Sequence, residues 1–367
     1  MIKFKTKYST KYANFYRKMA DETKIDYYNK KATTLESCFE VQLWDKYPLN
    51  KILDNLAHSV CKSRFCLNCQ IMSNSKYAHA LKPIINDFIK EGMKPYLLTL
   101  TVPNCNYEDL KDTILKMNKT YNKLFKKLNA EDKRKWTPRL AKIYGSVKVL
   151  EVTVNNEKRT FHPHFHILLL LDDPKYDEEL KLNLKPYIQG RYSYKNDDYN
   201  YHSNFSIQIM KLWTMLWNDK RITKNSYNNF SSNPNDTDML EINLTPFEGK
   251  DGTPNYLELL KYTAKFGDVY TYEVFKYLEL SLINQRRIQT NGCLVGMIED
   301  IEEDEDIKTG QEEELILEIE EEPEKTVTKT LKELINGEKK EYKKLYRKNT
   351  SKYDKEFYTQ TVNDLKI

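Results

Sequence analysis

Three histidines alternate in Phe161-His162-Pro-His164-Phe-His166 and run directly into the aliphatic stretch Ile167 to Leu171. Alternation is the signature of a β-strand, so the three imidazoles share one face, while Phe165, Ile167 and Leu169 share the other. The preceding run, Val147-Lys-Val-Leu-Glu151-Val-Thr-Val154, reads as a second strand, with Asn155-Asn-Glu-Lys158 as the turn between them. A turn centred between Glu157 and Lys158 sets Glu151 directly opposite His164, where cross-strand neighbours lie about 5 Å apart. Two or three imidazoles and a carboxylate then converge on one point, a mixed N/O set that suits Mg²⁺, Mn²⁺ or another divalent ion rather than a thiol-preferring one. Histidines on the wet face of an antiparallel sheet give the same spacing without an ion, so the pattern alone leaves both readings open.

Two further groups carry reactive side chains. Pro254 sits in the favoured first turn of a helix running Asn255 to Phe266 and stopped by Gly267. On it Glu258, Tyr262 and Lys265 follow at i, i+4 and i+7 and share one stripe, while Leu257, Leu260 and Ala264 face the core. A tyrosine between a carboxylate and an ammonium can serve as a nucleophile with its acid/base and charge partners; a half-buried tyrosine beside an incidental ion pair has the same pattern. The second group is His58-Ser-Val-Cys61-Lys-Ser-Arg-Phe-Cys66-Leu-Asn-Cys69. Cys66-x-x-Cys69 is a knuckle that presents two thiolates to one Zn²⁺, and Cys61 with His58 completes a tetrahedral Cys₃His set, His79 being the poorer fourth ligand. A redox Cys-x-x-Cys or plain buried thiols remain the competing readings.

The elements that must hold these groups are legible in outline. Tyr96 to Pro103 alternates as a strand with Thr99 and Thr101 on one face, and Tyr107 to Leu128 has the spacing of an amphipathic, lysine-rich helix. Residues 175–204 are polar and aperiodic, as in a surface loop; Phe205 to Trp217 reads as an apolar helix and Met239 to Thr245 as a strand. The organisation expected is a basic Lys/Tyr-rich segment (1–57), a Cys/His zinc element (58–90), a catalytic domain (91–298), an acidic linker (299–325) and a basic, partly helical tail (326–367) that is separable from the core.

Charge narrows the partners. The formal net charge of +5 hides a block, Glu299 to Lys325, of net −13, which leaves +18 on the rest of the 367-residue chain. A body that basic suits a phosphate-backbone ligand, because neutralised phosphates release their counterions. The six cysteines are unevenly spaced in a chain too large to need disulfide staples. Charged residues in Met1-Ile-Lys-Phe-Lys-Thr-Lys and the absence of an apolar run of about 18 residues argue against a signal peptide or membrane span, so a soluble, cytoplasmic protein is expected.

Taken together, Leu98-Thr-Leu-Thr101, Glu151-Val-Thr153, His162-Pro-His-Phe-His166 and Glu258-x-x-Lys261-Tyr262-x-x-Lys265 resemble, in order, the motifs of the plasmid rolling-circle replication initiators (Rep) of Gram-positive bacteria, within the HUH endonuclease superfamily. The resemblance covers roughly residues 60–295 and includes the closing segment Arg287-Ile-Gln-Thr-Asn-Gly-Cys-Leu; the acidic block and tail fall outside it. It implies an α+β fold with a central antiparallel sheet and flanking helices, the ferredoxin- or RRM-like HUH core. It further implies catalytic Mn²⁺ or Mg²⁺ on His164 and His166, with Glu151 as third ligand and His162 as a motif member. Tyr262 would nick one strand at the plasmid double-strand origin, single-stranded at the nick, leaving a 5′-phosphotyrosine and a 3′-OH primer. Lys265 would stabilise charge, and Glu258 would activate water to end replication after one round. Partners implied are origin DNA, a host helicase and a DNA polymerase. A zinc-stabilised DNA-binding regulator without enzymatic activity, or an HUH transposase or mobilisation nuclease, are the alternative readings.

Overall fold

In the computed structural model the described residues are 2–38, 42–47, 52–58, 60–129, 141–171, 185–188, 199–202, 204–232, 236, 238–247, 256–260, 270–297, 324–328 and 343–345. The chain divides into two units, one of Met1–His79, Phe266–Lys276 and Asp300–Ile367, the other of Ala80–Lys265 and Tyr277–Glu299.

The Lys/Tyr-rich start of the chain folds as two helices, α1 (Ile2–Thr23) and α2 (Asp26–Glu36), with Lys24 turning between them at φ 60°. Tyr12, Ala13, Tyr16, Met19 and Ala20 bury one face of α1, and Tyr28, Ala32 and Leu35 one face of α2, both at helical spacing. Tyr16 stacks on Tyr28, and Arg17 grips Glu36 through two hydrogen bonds of 2.7 and 2.5 Å. The antiparallel hairpin of β1 (Gln42–Tyr47) and β2 (Ile52–His58) follows, and then α3 (Leu67–Lys90), which is shared between the units.

The second unit is organised on β3 (Lys94–Thr101), β4 (Cys105–Asn106), α4 (Leu110–Asn129), β5 (Ile143–Asn155) and β6 (Thr160–Leu171). After β6 come β7 (Lys185–Ile188), β8 (Tyr199–His202), α5 (Asn204–Trp217), α6 (Lys224–Asn229), β9 (Ile242–Pro246) and α7 (Tyr256–Leu259). Then follow α8 (Tyr272–Leu282), which is divided between the units after Lys276, and the edge strand β10 (Ile288–Gly292), while β11 (Glu324–Thr328) and β12 (Lys343–Leu345) belong to the first unit.

The central sheet runs β10-β5-β6-β3-β9, antiparallel throughout, with β4 paired to β6. Its middle is the long β5–β6 hairpin. The turn forms because the Asn155 side chain accepts from Lys158 N at 3.0 Å and Arg159 adopts φ 51°, returning the strand with the expected register, Glu151 opposite His164. That register sorts the sheet into two faces. Rows such as Leu150–Phe165–Leu100 and Lys148–Ile167–Leu98 alternate with Glu151–His164–Thr101 and Val149–His166–Thr99. α4 covers the first face: Tyr121 packs edge-on against Phe165 and its hydroxyl lies 3.0 Å from Ser146 Oγ. At the β10 edge Gly292 faces Gly145 at φ 65°, where a Cβ would fall 2.1 Å from the Tyr144 carbonyl, so the close approach admits only glycine.

The mixed α/β architecture with a central antiparallel sheet and flanking helices matches the sequence expectation, with local differences. Within 175–204, β7 and β8 pair antiparallel where the sequence suggests a loop, because short Tyr-rich strands carry no apolar alternation to announce them. β12 lies in the stretch read as helical, and β11 pairs with β1, joining the beginning and end of the chain in the sheet β11-β1-β2-β12. Leu115 of α4, apolar though it is, is exposed, while Leu110, Ile114, Met117, Tyr121 and Leu124 are buried as expected.

Candidate metal centres

A carboxylate and two imidazoles meet on the second face of the hairpin. Glu151 Oε2 lies 3.3 Å from His164 Nε2 and 3.0 Å from His166 Nε2, and one ligand atom from each residue falls within 4.8 Å of the others. All three are nearly inaccessible, at 3%, 9% and 5% exposure. A strand pair explains the convergence: Glu151 is directly opposite His164, and His166 is the next residue on the same face. Burial pushes the Glu151 carboxyl up, but its close polar contacts with the His164 and His166 rings outweigh it and hold the group below the ordinary carboxylate range. A charged, buried carboxylate with two imidazole nitrogens aimed at the same point is the donor set a hard or borderline divalent ion takes.

The outward nitrogens are also occupied. His164 Nδ1 is 3.2 Å from the His162 carbonyl, and His166 Nδ1 is 3.3 Å from Thr99 Oγ1. His162 does not join the convergent group among the described residues; its ring lies against that of His164 with centroids 5.2 Å apart. Burial first, and the neighbouring His164 charge second, lower the His162 pKa, with Glu241 and Glu151 opposing.

α7 packs on β6 and buries Tyr256 and Leu259, with Leu260 just beyond it; Tyr256 meets Phe247 edge-on at 5.3 Å. Glu258 lies in this helix, though its side chain is not among those described, and Tyr262 and Lys265 lie outside the described residues. Leu260 is core, as its spacing implied.

The cysteine cluster is built in the other unit. Among the described residues Cys38 joins Cys61, Cys66 and Cys69, a residue the sequence spacing did not include, while the side chain of His58 is not among those described. The sulfurs of Cys38 and Cys66 are 3.6 Å apart, of Cys38 and Cys69 3.5 Å, and of Cys61 and Cys69 3.6 Å. A tetrahedron of thiolates at the Zn–S bond length has edges of about 3.8 Å, so the four sulfurs already stand near that geometry. Hydrogen bonds from the other three hold the Cys69 thiol far below its ordinary pKa, whereas the neighbouring sulfurs push Cys61 and Cys66 up. The hairpin accounts for the arrival of Cys38: Gln42 pairs with His58, so Cys38, before the first strand, and Cys61, after the second, are brought to one end. The signal available in the sequence was a cysteine on each side of a hairpin-like stretch. Phe65, beside Cys66, packs on Phe275 at 4.6 Å, and Phe275 also stacks on Tyr12, so the cluster adjoins the aromatic core of its unit.

No helix among the described residues is long and apolar enough to cross a membrane. Residues 54–187 match the family model described as "Replication protein" (Rep_1). The chain is similar to a "Protein rep" of Bacillus sp, 32% identical over 158 residues, 43% of this chain and 48% of that protein. It is similar to a "Protein rep" of Streptococcus pneumoniae serotype 2, 30% identical over 113 residues, 30% of this chain and 32% of that protein. A longer, more distant likeness joins it to a "Protein rep" of Lactiplantibacillus plantarum, 24% identical over 296 residues, 77% of this chain and 78% of that one. Against the Bacillus relative the chain thus spans about half of the curated protein's length, at 48%. No solved structure matches the chain.

Proposed function

We propose that the chain, whose residues 54–187 match the Rep family of replication proteins, is a plasmid replication initiator of the HUH type, which nicks one strand of a double-strand origin. The observation that carries this reading is the convergence of His164 Nε2 and His166 Nε2 on Glu151 Oε2 at 3.3 and 3.0 Å, inside the matched segment. Glu151, His164 and His166 would hold Mn²⁺ or Mg²⁺, with His162 beside them. An ion held by these residues would supply a Lewis acid to the scissile phosphate and to the charge that develops on it.

The residues of the chain do the rest. Tyr262 attacks the phosphorus through Oη, the P–O3′ bond breaks, and the products are a 5′-phosphotyrosine and a free 3′-OH that primes synthesis. The phenol, with a free pKa near 10, needs help at neutral pH, and Lys265 at i+3 supplies charge stabilisation. Glu258, four residues before Tyr262 in the sequence, activates water in the terminating step. The basic body binds origin DNA by its phosphates, and the extended 3′ end is handed to a host helicase and polymerase. Cys38, Cys61, Cys66 and Cys69 hold a structural Zn²⁺, closed to substrate because all four positions are thiolates. A regulator without enzymatic activity would need the basic surface and the zinc but would leave a buried carboxylate between two imidazoles without a task.

The deciding experiment incubates the full chain with a supercoiled origin plasmid and Mn²⁺. The expected outcome is open circles with protein attached to the 5′ end, lost in Tyr262→Phe, which removes one oxygen with little change in packing. Nicking that persists in Tyr262→Phe would overturn the assignment of the nucleophile, and no nicking by the native chain would favour the regulator.

A further inference from the structure

Each imidazole that gives Nε2 to a cation must carry its single proton on Nδ1, and that proton needs an acceptor. His164 has a fixed one, the carbonyl of His162 at 3.2 Å. For His166 the partner of Nδ1 among the described residues is a side chain: Thr99 Oγ1, at 3.3 Å. The two residues are direct cross-strand partners between β3 and β6, so the contact is set by sheet register rather than by a loop. On the other side of the ring, His166 Nε2 lies 3.0 Å from Glu151 Oε2, a carboxylate that competes for the same proton. If the proton sits on Nε2, that nitrogen is closed to an ion. The Thr99 hydroxyl is therefore placed on the one side where accepting the proton frees the ligand atom. The neighbouring hydroxyl on the same strand face is committed elsewhere, since Thr101 Oγ1 donates to the Glu241 carbonyl at 2.6 Å. A β-branched side chain on a strand has few χ1 choices, which keeps Oγ1 on target.

We propose that Thr99 is a positioning residue of the Glu151–His164–His166 centre: its hydroxyl accepts the Nδ1 proton of His166, selects the tautomer that bares Nε2, and fixes the ring toward Glu151. This role rests on the reading of those three residues as a metal centre. It separates two threonines that the strand pattern left equivalent, and it assigns the outer partner of one ligand to a side chain that can be changed.

The test uses the full chain with ¹⁵N-labelled histidine, the His166 signal being identified by its loss in His166→Gln. Two quantities are read, the His166 tautomer in metal-free protein and the dissociation constant for Mn²⁺. Thr99→Val keeps shape and branching but cannot accept a proton, so the His166 proton is expected to move toward Nε2. Mn²⁺ binding is then expected to weaken roughly 10- to 100-fold, the usual range when a metal-bound histidine loses its outer hydrogen-bond partner. Thr99→Ser restores the acceptor and is expected to stay within about threefold of the native constant, well short of that loss. Thr99→Ala, which relieves any steric demand of valine, is expected to repeat the valine result. Native tautomer and native Mn²⁺ affinity in both Thr99→Val and Thr99→Ala would overturn the role of Thr99. A native chain that binds no Mn²⁺ would instead overturn the metal centre itself, and this role with it.

Discussion

Glu151 and Lys148 sit three residues apart on one strand and point to opposite faces, and the two charges are handled in opposite ways. Glu151 keeps its charge because two imidazoles surround it; Lys148 is 3% exposed, donates to Asn118 Oδ1 at 2.6 Å, and has its Nζ 4.4 Å from the Tyr121 ring centre and 4.5 Å from that of Phe165. Desolvation pushes Lys148 down to about 7. With the folded value below the unfolded one near 10.5, the unfolded chain binds the extra proton between those limits, so stability from this group is full above 10.5 and is lost as pH falls toward 7. Lys148→Met is expected to flatten the rise of the urea midpoint between pH 7 and pH 10. It should also leave the variant more stable than native at pH 6 by about 1 kcal/mol or more, since each tenfold difference in proton affinity between the folded and unfolded chain is worth about 1.4 kcal/mol. An unchanged pH profile would place the lysine in contact with water. Glu258→Gln is the second residue-scale prediction: the first nick is expected to survive within a few-fold, because tyrosine attack needs no activated water, while products longer than one plasmid unit accumulate. If Glu258→Gln stops the first nick as Tyr262→Phe does, Glu258 serves initiation and the division of labour is wrong. The face of Lys148 was readable from alternation with Leu150, but its burial was not, since a lysine in a strand is ordinarily a solvent-side residue and only the packing of α4 reverses that.

The hairpin shows how far an element can be read before it is seen. Alternation fixed which residues share a face, the Asn-rich turn fixed where the strand reverses, and together they gave the pairing of Glu151 with His164. The cysteine element was less legible, because three of the four cysteines are local and the fourth, Cys38, arrives across the β1–β2 hairpin. Spacing rules are blind to a ligand delivered by a strand reversal when the strands themselves are ordinary in sequence. The α7 helix was legible as to its start, with Tyr256, Leu259 and Leu260 buried after Pro254. At this scale the cysteine element can be tested directly. One zinc per chain is expected by elemental analysis; Cys38→Ser should lose it or bind it at least about tenfold more weakly and melt at lower temperature, whereas His58→Ala should keep both zinc and melting temperature near native. The reverse pattern would make His58, not Cys38, the fourth ligand.

Over the whole molecule, the two candidate metal sites fall in different units, the four cysteines in one and the Glu151–His164–His166 centre in the other. The family match at 54–187 takes in the histidine hairpin and three of the four cysteines but ends before the tyrosine motif, so Tyr262 rests on its spacing from Glu258 and on the order of motifs. Charge is a property of the chain at large, with +18 outside the acidic block. On the proposed function, binding through phosphate contacts and chemistry at the Glu151–His164–His166 centre draw on different groups, and they should separate. Removing loosely held divalent ions with a mild chelator, or changing His164 to Ala, is expected to abolish nicking while duplex origin binding stays within about threefold of native, because neither treatment alters the surface lysines. Raising salt should act the other way round, weakening binding along a straight line in log K against log salt, with a slope that counts the neutralised phosphates. A chelator strong enough to strip thiolate-bound zinc should in addition lower the melting temperature, which distinguishes loss of the structural ion from loss of the catalytic one. Should mild chelation reduce duplex binding and nicking in parallel, the histidine centre would be part of the DNA-binding surface rather than a separate site of chemistry.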